Sequence, residues 1–258
     1  MSFNVVIPAR FASSRLPGKP LADIHGKPMI ARVVERAQMS DAKRVIVATD
    51  DQIIVSALSD MDCEVILTSK EHRSGTDRIA EVIDKIELAD DEIVINVQGD
   101  EPLLPPENIN QTARMLVERP DVNISTLCVQ IYESEDVFDP NVVKTLMDKK
   151  GVSLYYSRAP VPWYRGRFDG SQELTEDELR AYFRHVGIYG YRAGIIRQFV
   201  KWPMSSMEKL ESLEQLRAME NGEIILCQVA EVEPPHGVDT PADLEKIRAY
   251  MANNGENL

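Results

Sequence analysis

Four short runs of aliphatic, mostly β-branched residues punctuate the first hundred positions: Val5-Val6-Ile7, Val45-Ile46-Val47-Ala48, Val65-Ile66-Leu67 and Ile93-Val94-Ile95-Asn96-Val97. They do not alternate apolar with polar residues, so both faces of each strand must be covered, as in a parallel sheet between two layers of helices. The intervening stretches carry apolar residues at helical spacing. Met29, Ile30, Val33, Val34 and Ala37 form one set, Ile53, Ile54, Ala57 and Leu58 a second, and Ile79, Ile83 and Ile86 a third. Pro105 and Pro106 open a fourth helix through Leu116, proline being well tolerated in a first turn. The alternation predicts an α/β, Rossmann-like fold with a mostly parallel sheet flanked by helices. Ligands of such sheets gather at the carboxyl ends of the strands. Three polar clusters fall there: a loop from Pro8 to Lys19, Asp50-Asp51, and Gln98 to Glu101.

The second half is less regular. Strands are expected at Ile124–Ile131, Val142–Met147, Val152–Tyr156, His185–Tyr191 and Ile224–Val229, with an exposed loop from Trp163 to Glu178 and one helix over Glu211–Glu220. A last helix carries Leu244, Ile247 and Met251, with Thr240 as its cap, Pro241 at its first position and Asp243 reaching back. The tail from Ala252 is expected to fray. There is no internal repeat and no clear linker. At 258 residues the expectation is a single domain over 1–258, with a smaller mixed-sheet lobe within about 130–210.

The formal net charge of -13 argues against nucleic acid as a partner. Cations nevertheless collect at one end, for residues 1–44 hold eight Lys or Arg against three Asp or Glu. That imbalance suits a local anionic ligand. Cys63, Cys128 and Cys227 are scattered, odd in number and without a C-x-x-C pair, which fits reduced thiols rather than disulfides or a cysteine zinc site. No stretch has the apolar length of a membrane span, and no basic leader precedes an apolar run, so the expectation is a soluble, cytoplasmic protein without membrane contact.

The opening loop places Arg10, Ser13, Ser14, Arg15 and Lys19 just past a buried strand. Three cations and two hydroxyls within ten residues are what a phosphate grip needs, though a solvated basic turn has the same composition. It is neither a G-x-x-x-x-G-K-[ST] loop nor a G-x-G-x-x-G fingerprint, so side chains, Arg15 and Lys19 above all, would do the holding, with the N–H groups of Ala9 and Arg10 nearby.

The string P-A-R-F-A-S-S-R-L-P-G-K-P-L resembles the N-terminal signature of the CMP-sugar branch of the sugar nucleotidyltransferases, in particular the cytidylyltransferases of 3-deoxy-manno-octulosonate (KDO). Further motifs follow in the order that family has them. In Q-G-D-E-P, Asp100 resembles the principal Mg²⁺ ligand and Gln98 a contact to nucleotide or sugar, while Glu101 is read as structural. In G-V-D-T-P, Asp239 resembles the second metal ligand; an acid before a capped helix is also common for dipole reasons alone. His72 to Arg78 resembles H-x-S-G-[TS]-[DE]-R. There Ser74 starts a helix and suits the cytosine edge, and Arg78 either meets a carboxylate or pairs with Asp77; Arg73 falls at a variable position. S-R-A-P, R-H-V-G-I-Y-G-Y and L-E-Q-L resemble keto-sugar contacts. These assign Arg158 or His185 to the sugar carboxylate, and Tyr189, Glu214 and Gln215 to its hydroxyls.

The resemblance runs from Asn4 to about Arg248 and implies transfer of CMP from CTP to the anomeric hydroxyl of KDO with release of pyrophosphate, for lipopolysaccharide. It implies a nucleotidyltransferase fold, Mg²⁺ as cofactor, and a homodimer formed through the smaller lobe. Arg15, Lys19, Asp100 and Asp239 are then the catalytic set, and an amino-substituted KDO is an equally sized alternative substrate. Two other readings fit less well. CMP-sialate synthetases tend to carry G-[ILV]-P-x-K-N where this chain has R-L-P-G-K-P. A non-catalytic nucleotide-binding protein has little use for two metal carboxylates. The missing glycines exclude a dinucleotide-dependent dehydrogenase.

Overall fold

The computed structural model describes residues 1–11, 16–72, 74–170 and 172–254. The first half runs β1 (Phe3–Ala9), a 3-10 turn (Lys19–Leu21), β2 (Asp23–Ile24), β3 (Lys27–Pro28), α1 (Met29–Gln38), β4 (Arg44–Thr49), α2 (Gln52–Ala57), β5 (Glu64–Leu67), α3 (Gly75–Lys85), β6 (Ile93–Asn96) and α4 (Pro106–Glu118). Next come β7 (Ile124–Gln130), α5 (Ser134–Phe138), β8 (Lys144–Met147), β9 (Ser153–Ser157), α6 (Glu176–Leu179) and β10 (Phe183–Arg192). The chain closes with α7 (Ala193–Phe199), α8 (Ser206–Glu211), α9 (Gln215–Glu220), β11 (Ile225–Val229) and α10 (Pro241–Asn254).

The main sheet has the order β11-β7-β10-β6-β1-β4-β5, and β8 and β9 extend it from β10. β1 pairs in parallel with both β4 and β6, and β4 with β5. β10 inserts antiparallel between β6 and β7. The mostly parallel, doubly covered sheet expected from the apolar runs is therefore present. Alternate residues of the same strand enter opposite layers. Val5, Ile7, Val47 and Ile95 pack with Ile30, Val33 and Val34 of α1 and Ile109 and Leu116 of α4. Val6, Ile46, Ala48 and Val94 pack on the other face with Ile79 and Ile83 of α3 and Ile196 of α7. Burial of each such aliphatic side chain is worth about 1.5–3 kcal/mol, which explains why no polar residue alternates along these strands.

Three details differ from the sequence reading. Strand β1 continues through Pro8 to Ala9. Proline is tolerated there because the last register pair with β6 is Val6–Asn96, leaving only β4 alongside. The segment 211–220 is two helices, since Ser212 takes a left-handed conformation (φ 53°) that ends α8. Buried Glu208 then receives Arg217 from α9 at 2.8 and 2.5 Å, so an ion pair folds the second helix back on the first. Finally, α10 runs to Asn254, past the expected fraying point; residues 255–258 lie outside the described residues.

β1 is also where the strand order reverses, with β4 on one side and β6 on the other. The segments leaving β1 and β6 therefore face each other across a crevice. A small separate β2–β3 hairpin, turned by His25 and Gly26 at φ 50° and 80°, borders that crevice. It packs Ile24 with Met29, Leu103, Val238, Leu244 and Ile247.

Candidate active site

At the end of β6, Gly99 lies directly on the end of β1. A Cβ there would stand 2.9 Å from the carbonyl oxygen of Pro8, so only glycine permits the approach. Glu101 N donates to Gln98 O at 3.2 Å and closes the turn that presents Asp100. From the β1 side, Gly18 in a left-handed conformation (φ 68°) turns the chain into the 3-10 turn that starts with Lys19. Lys19 Nζ donates to Asp100 Oδ2 at 2.6 Å and to Asp239 Oδ1 at 3.3 Å. One ammonium thus bridges two carboxylates that lie far apart in sequence.

Asp239 is held by three devices. Val238, fully buried among Ile24, Met29, Leu103 and Leu244, anchors the segment. Val238 N donates to Asp100 O at 2.9 Å, tying the two acidic segments backbone to backbone. Thr240 and Asp243 close the expected capping box on α10: Thr240 N donates to Asp243 Oδ2 at 2.9 Å, and Asp243 N to Thr240 Oγ1 at 3.2 Å. Gly237 completes the fit, since a Cβ there would meet Glu101 Oε1 at 2.8 Å and Asp100 O at 3.2 Å.

Two carboxylate oxygens converging on one cation suit a hard divalent ion. Magnesium takes one or two carboxylates together with phosphate oxygens and water rather than a full protein cage. Among the described residues no group of three or more His, Cys, Asp or Glu forms such a cage. The donor set therefore fits Mg²⁺ shared with a phosphate ligand.

A cleft of about 750 Å³ opens beside this cluster, lined among others by Asp100, Glu101, Arg184, His185, His236 and Asp239. Burial, reinforced by Asp100, pushes the Glu101 carboxyl up to about 8, against the opposing pull of Arg184. Arg184 is itself lowered by burial, with Glu101 the chief counterweight. Sequence reading missed Arg184 as a cleft residue; the available signal was a cation beside a histidine at the start of a strand whose centre is apolar.

His185 is fully neutral at ordinary pH. Burial, aided by Arg184, lowers its pKa to about 3. Its Nε2 lies 2.9 Å from Thr126 Oγ1, which also lies 2.7 Å from Ile188 O. The same hydroxyl lies 3.2 Å from Val186 O, and which of Thr126 Oγ1 and His185 Nε2 donates to the other follows the ring tautomer. In the free protein the ring is thus neutral and held against Thr126 at the edge of the cleft it lines. Arg158, the other residue expected at the sugar carboxylate, also has partners within the protein. Arg158 Nε donates to Glu211 O at 2.6 Å and its Nη1 to Pro140 O at 2.8 Å, so its guanidinium is engaged by backbone carbonyls.

Thr126 also marks a bulge. Val186 pairs with Leu127 and Tyr189 with Thr126, leaving Gly187 and Ile188 out of register on β10. Bulges re-aim side chains near sites, and this one brings Gly187 O to Gln98 Nε2 (3.4 Å). Gln98, Tyr189, Glu214 and Gln215, four of the expected contacts, share a small second cavity of about 60 Å³ with Thr76 and Asn96. Thr76 Oγ1 donates to Glu214 Oε2 at 2.7 Å.

The remaining expected residues divide. Ala9 is buried at the end of β1 and Arg10 is exposed just beyond it. Ser74 caps α3: its Oγ accepts from Asp77 N at 3.1 Å, with its own proton left to donate. Arg78 is completely buried and pairs with Asp50 at 2.8 Å, while Asp77 is occupied by the capping box, so of the two expected alternatives Arg78 meets a carboxylate other than Asp77. Its partner is a third carboxylate, on the β4 end. Ser13, Ser14, Arg15 and Arg73 lie outside the described residues.

A mostly parallel sheet with two carboxylates and a lysine clustered at its strand-order reversal is the arrangement at which α/β proteins bind ligands. A cytidylyltransferase family model matches residues 4–225. The 3-deoxy-manno-octulosonate cytidylyltransferase of Alcanivorax borkumensis is 54% identical over 252 residues, 97% of this chain and 99% of that protein. The protein of the same name from Haemophilus influenzae is 51% identical over 255 residues, 98% of this chain and all of its own. Among solved structures, a CMP:2-keto-3-deoxy-manno-octonic acid synthetase complexed with CTP superposes with a TM-score of 0.87 at 41% identity, covering 98% of this chain and 100% of that one. The chain belongs to the 3-deoxy-manno-octulosonate cytidylyltransferase family.

Proposed function

We propose that the protein transfers CMP from CTP to the anomeric hydroxyl of KDO, releasing pyrophosphate and supplying the activated sugar for lipopolysaccharide. The observation that carries the reading is the convergence of Lys19, Asp100 and Asp239 on one point at the end of β1 and β6. Lys19 neutralises charge on the phosphates and keeps two carboxylates together in the free enzyme, where like charges would otherwise repel. Arg15, from the same loop, joins it on the departing pyrophosphate. Asp100 and Asp239 hold Mg²⁺, which when bound lowers the pKa of the attacking hydroxyl and takes up charge on the α-phosphate. Gln98, Tyr189, Glu214 and Gln215 orient the hydroxylated sugar, and the exposed end at Arg10 with Ser74 receives the nucleotide. The smaller lobe within about 130–210 contributes Tyr189 to the sugar and carries the homodimer interface. Among the described residues no helix is long and apolar enough to cross a membrane, as suits a cytoplasmic enzyme.

The test is pyrophosphate release with Mg²⁺, crossing the four nucleoside triphosphates against KDO, its 8-amino analogue and sialic acid. Turnover with CTP and an octulosonate is expected, and its absence for every such pair would sink the reading. Sedimentation or light scattering tests the dimer separately.

A further inference from the structure

Asn96 interrupts an otherwise aliphatic strand at a position 4% exposed to solvent, on the face that Val94 shares with the α3 and α7 layer. A buried amide on such a face is destabilising unless its hydrogen bonds are made. Its Oδ1 has no partner among the described residues. Directly across the strand pair stands Tyr189, 8% exposed, whose phenolic oxygen has no partner either. Both side chains line the 60 Å³ cavity that also holds Gln98, Glu214 and Gln215. Two buried, unpartnered polar atoms on side chains that line one cavity each forgo about 1–3 kcal/mol, so the arrangement is costly unless something enters the cavity and pairs with them.

We propose that Asn96 and Tyr189 form a socket for the terminal hydroxymethyl group of the sugar, with Asn96 the residue that selects for its hydroxyl. This rests on the reading of the chain as an octulosonate cytidylyltransferase and names which end of the substrate the inner cavity takes. A hydroxyl is both donor and acceptor, so one group satisfies the amide oxygen and the phenol together; a methyl group satisfies neither. The size agrees, since about 60 Å³ is several times the roughly 10–15 Å³ that one water needs and leaves room for one CH₂OH. Direction agrees as well. Asn96 precedes Asp100 by four residues on a chain leaving the strand, placing it up to about 13 Å behind the reacting end. The end of the sugar far from its anomeric centre is the one that reaches there.

The experiment compares KDO with its 8-deoxy analogue in the wild-type enzyme, Asn96→Ala, Asn96→Asp and Tyr189→Phe, each checked for folding by thermal denaturation. Wild type should favour KDO by at least ~10-fold in kcat/KM, the cost of leaving buried partners unpaired. Asn96→Ala should lose most of that preference through KM for KDO, keep KM for CTP within twofold, and use the 8-deoxy acid as well as wild type does. Asn96→Asp, which keeps an acceptor, should retain the preference. A wild-type preference below twofold overturns the proposal, as does an Asn96→Ala enzyme whose KM for KDO is unchanged, which makes the cavity a water site. Equal losses on both sugars assign Asn96 a purely structural role and overturn it too. If Asn96→Ala does not fold, the wild-type ratio and Tyr189→Phe decide. An inactive wild type with CTP and KDO would instead defeat the underlying functional reading.

Discussion

Gly237→Ala is the sharpest perturbation of the site, because it adds one carbon and alters no charge. The new Cβ would stand 2.8 Å from Glu101 Oε1 and 3.1 Å from its Cδ, where ordinary contact begins near 3.4 Å. The Glu101 Cδ as well as its Oε1 stands inside contact distance, so turning the carboxyl alone does not relieve the clash. The backbone carbonyl of Asp100, 3.2 Å from the same point, is less able to yield because Val238 N already bonds it at 2.9 Å. The 236–239 segment must therefore move outward by about half an ångström, at a cost of about 1–3 kcal/mol for overpacking. Asp239 moves with it and away from Asp100. Since a misplacement of about 1 Å costs on the order of 100-fold in rate, about a tenfold loss of kcat is expected. KM for CTP should stay within about twofold, and the Mg²⁺ concentration for half-maximal activity should rise. Pyrophosphate release gives the rates, Mn²⁺ titration by calorimetry the metal affinity, and urea unfolding the stability. A Gly237→Ala enzyme with wild-type kcat, metal affinity and unfolding midpoint would refute the claim that glycine sets the spacing of the two carboxylates.

Other substitutions test the remaining assignments. Asp100→Asn and Asp239→Asn should each abolish turnover while far-ultraviolet circular dichroism and Tm remain native; near-normal activity in Asp239→Asn removes it from the metal site. Arg78→Met leaves Asp50, only 14% exposed at its side chain, without its ion partner, and should lower stability by about 3–5 kcal/mol with the sugar KM of the folded fraction unchanged. His185 has a folded pKa of about 3, below its unfolded value near 6.5, so the unfolded state binds the extra proton between those pH values. Its contribution to stability is complete above pH 6.5 and falls with acid at up to about 1.4 kcal/mol per pH unit down to pH 3. His185→Gln should flatten that limb in urea titrations at several pH values. No inflection from His185 should appear in KM for the sugar between pH 5.5 and 8.

Much of the molecule follows from local chemistry. Unbroken apolar runs such as Ile46–Ala48 can be satisfied only between two layers, and helix caps such as Thr240 with Asp243 are closed by residues three apart. Periodicity and capping act over a few residues, so a linear reading reaches them, and with them the places where polar loops leave the strands. Motif resemblance extended that reach to Asp100 and Asp239 as a pair. Charge state and partnership were out of reach. Arg78 meets Asp50 rather than its neighbour Asp77, Arg158 meets carbonyls 18 and 53 positions away, and His185 loses its proton to burial. Each outcome depends on what the sheet order brings alongside and how much water it excludes, and desolvation has no local sequence signature. The same holds for Asn96 and Tyr189, which are opposite one another only because β10 runs antiparallel beside β6. Local composition was thus enough to set the layers and the strand ends at which chemistry would occur. Which side chains there remain charged, which are spent on holding the fold, and which are left with an unpaired atom facing a cavity depended on distant segments meeting in space.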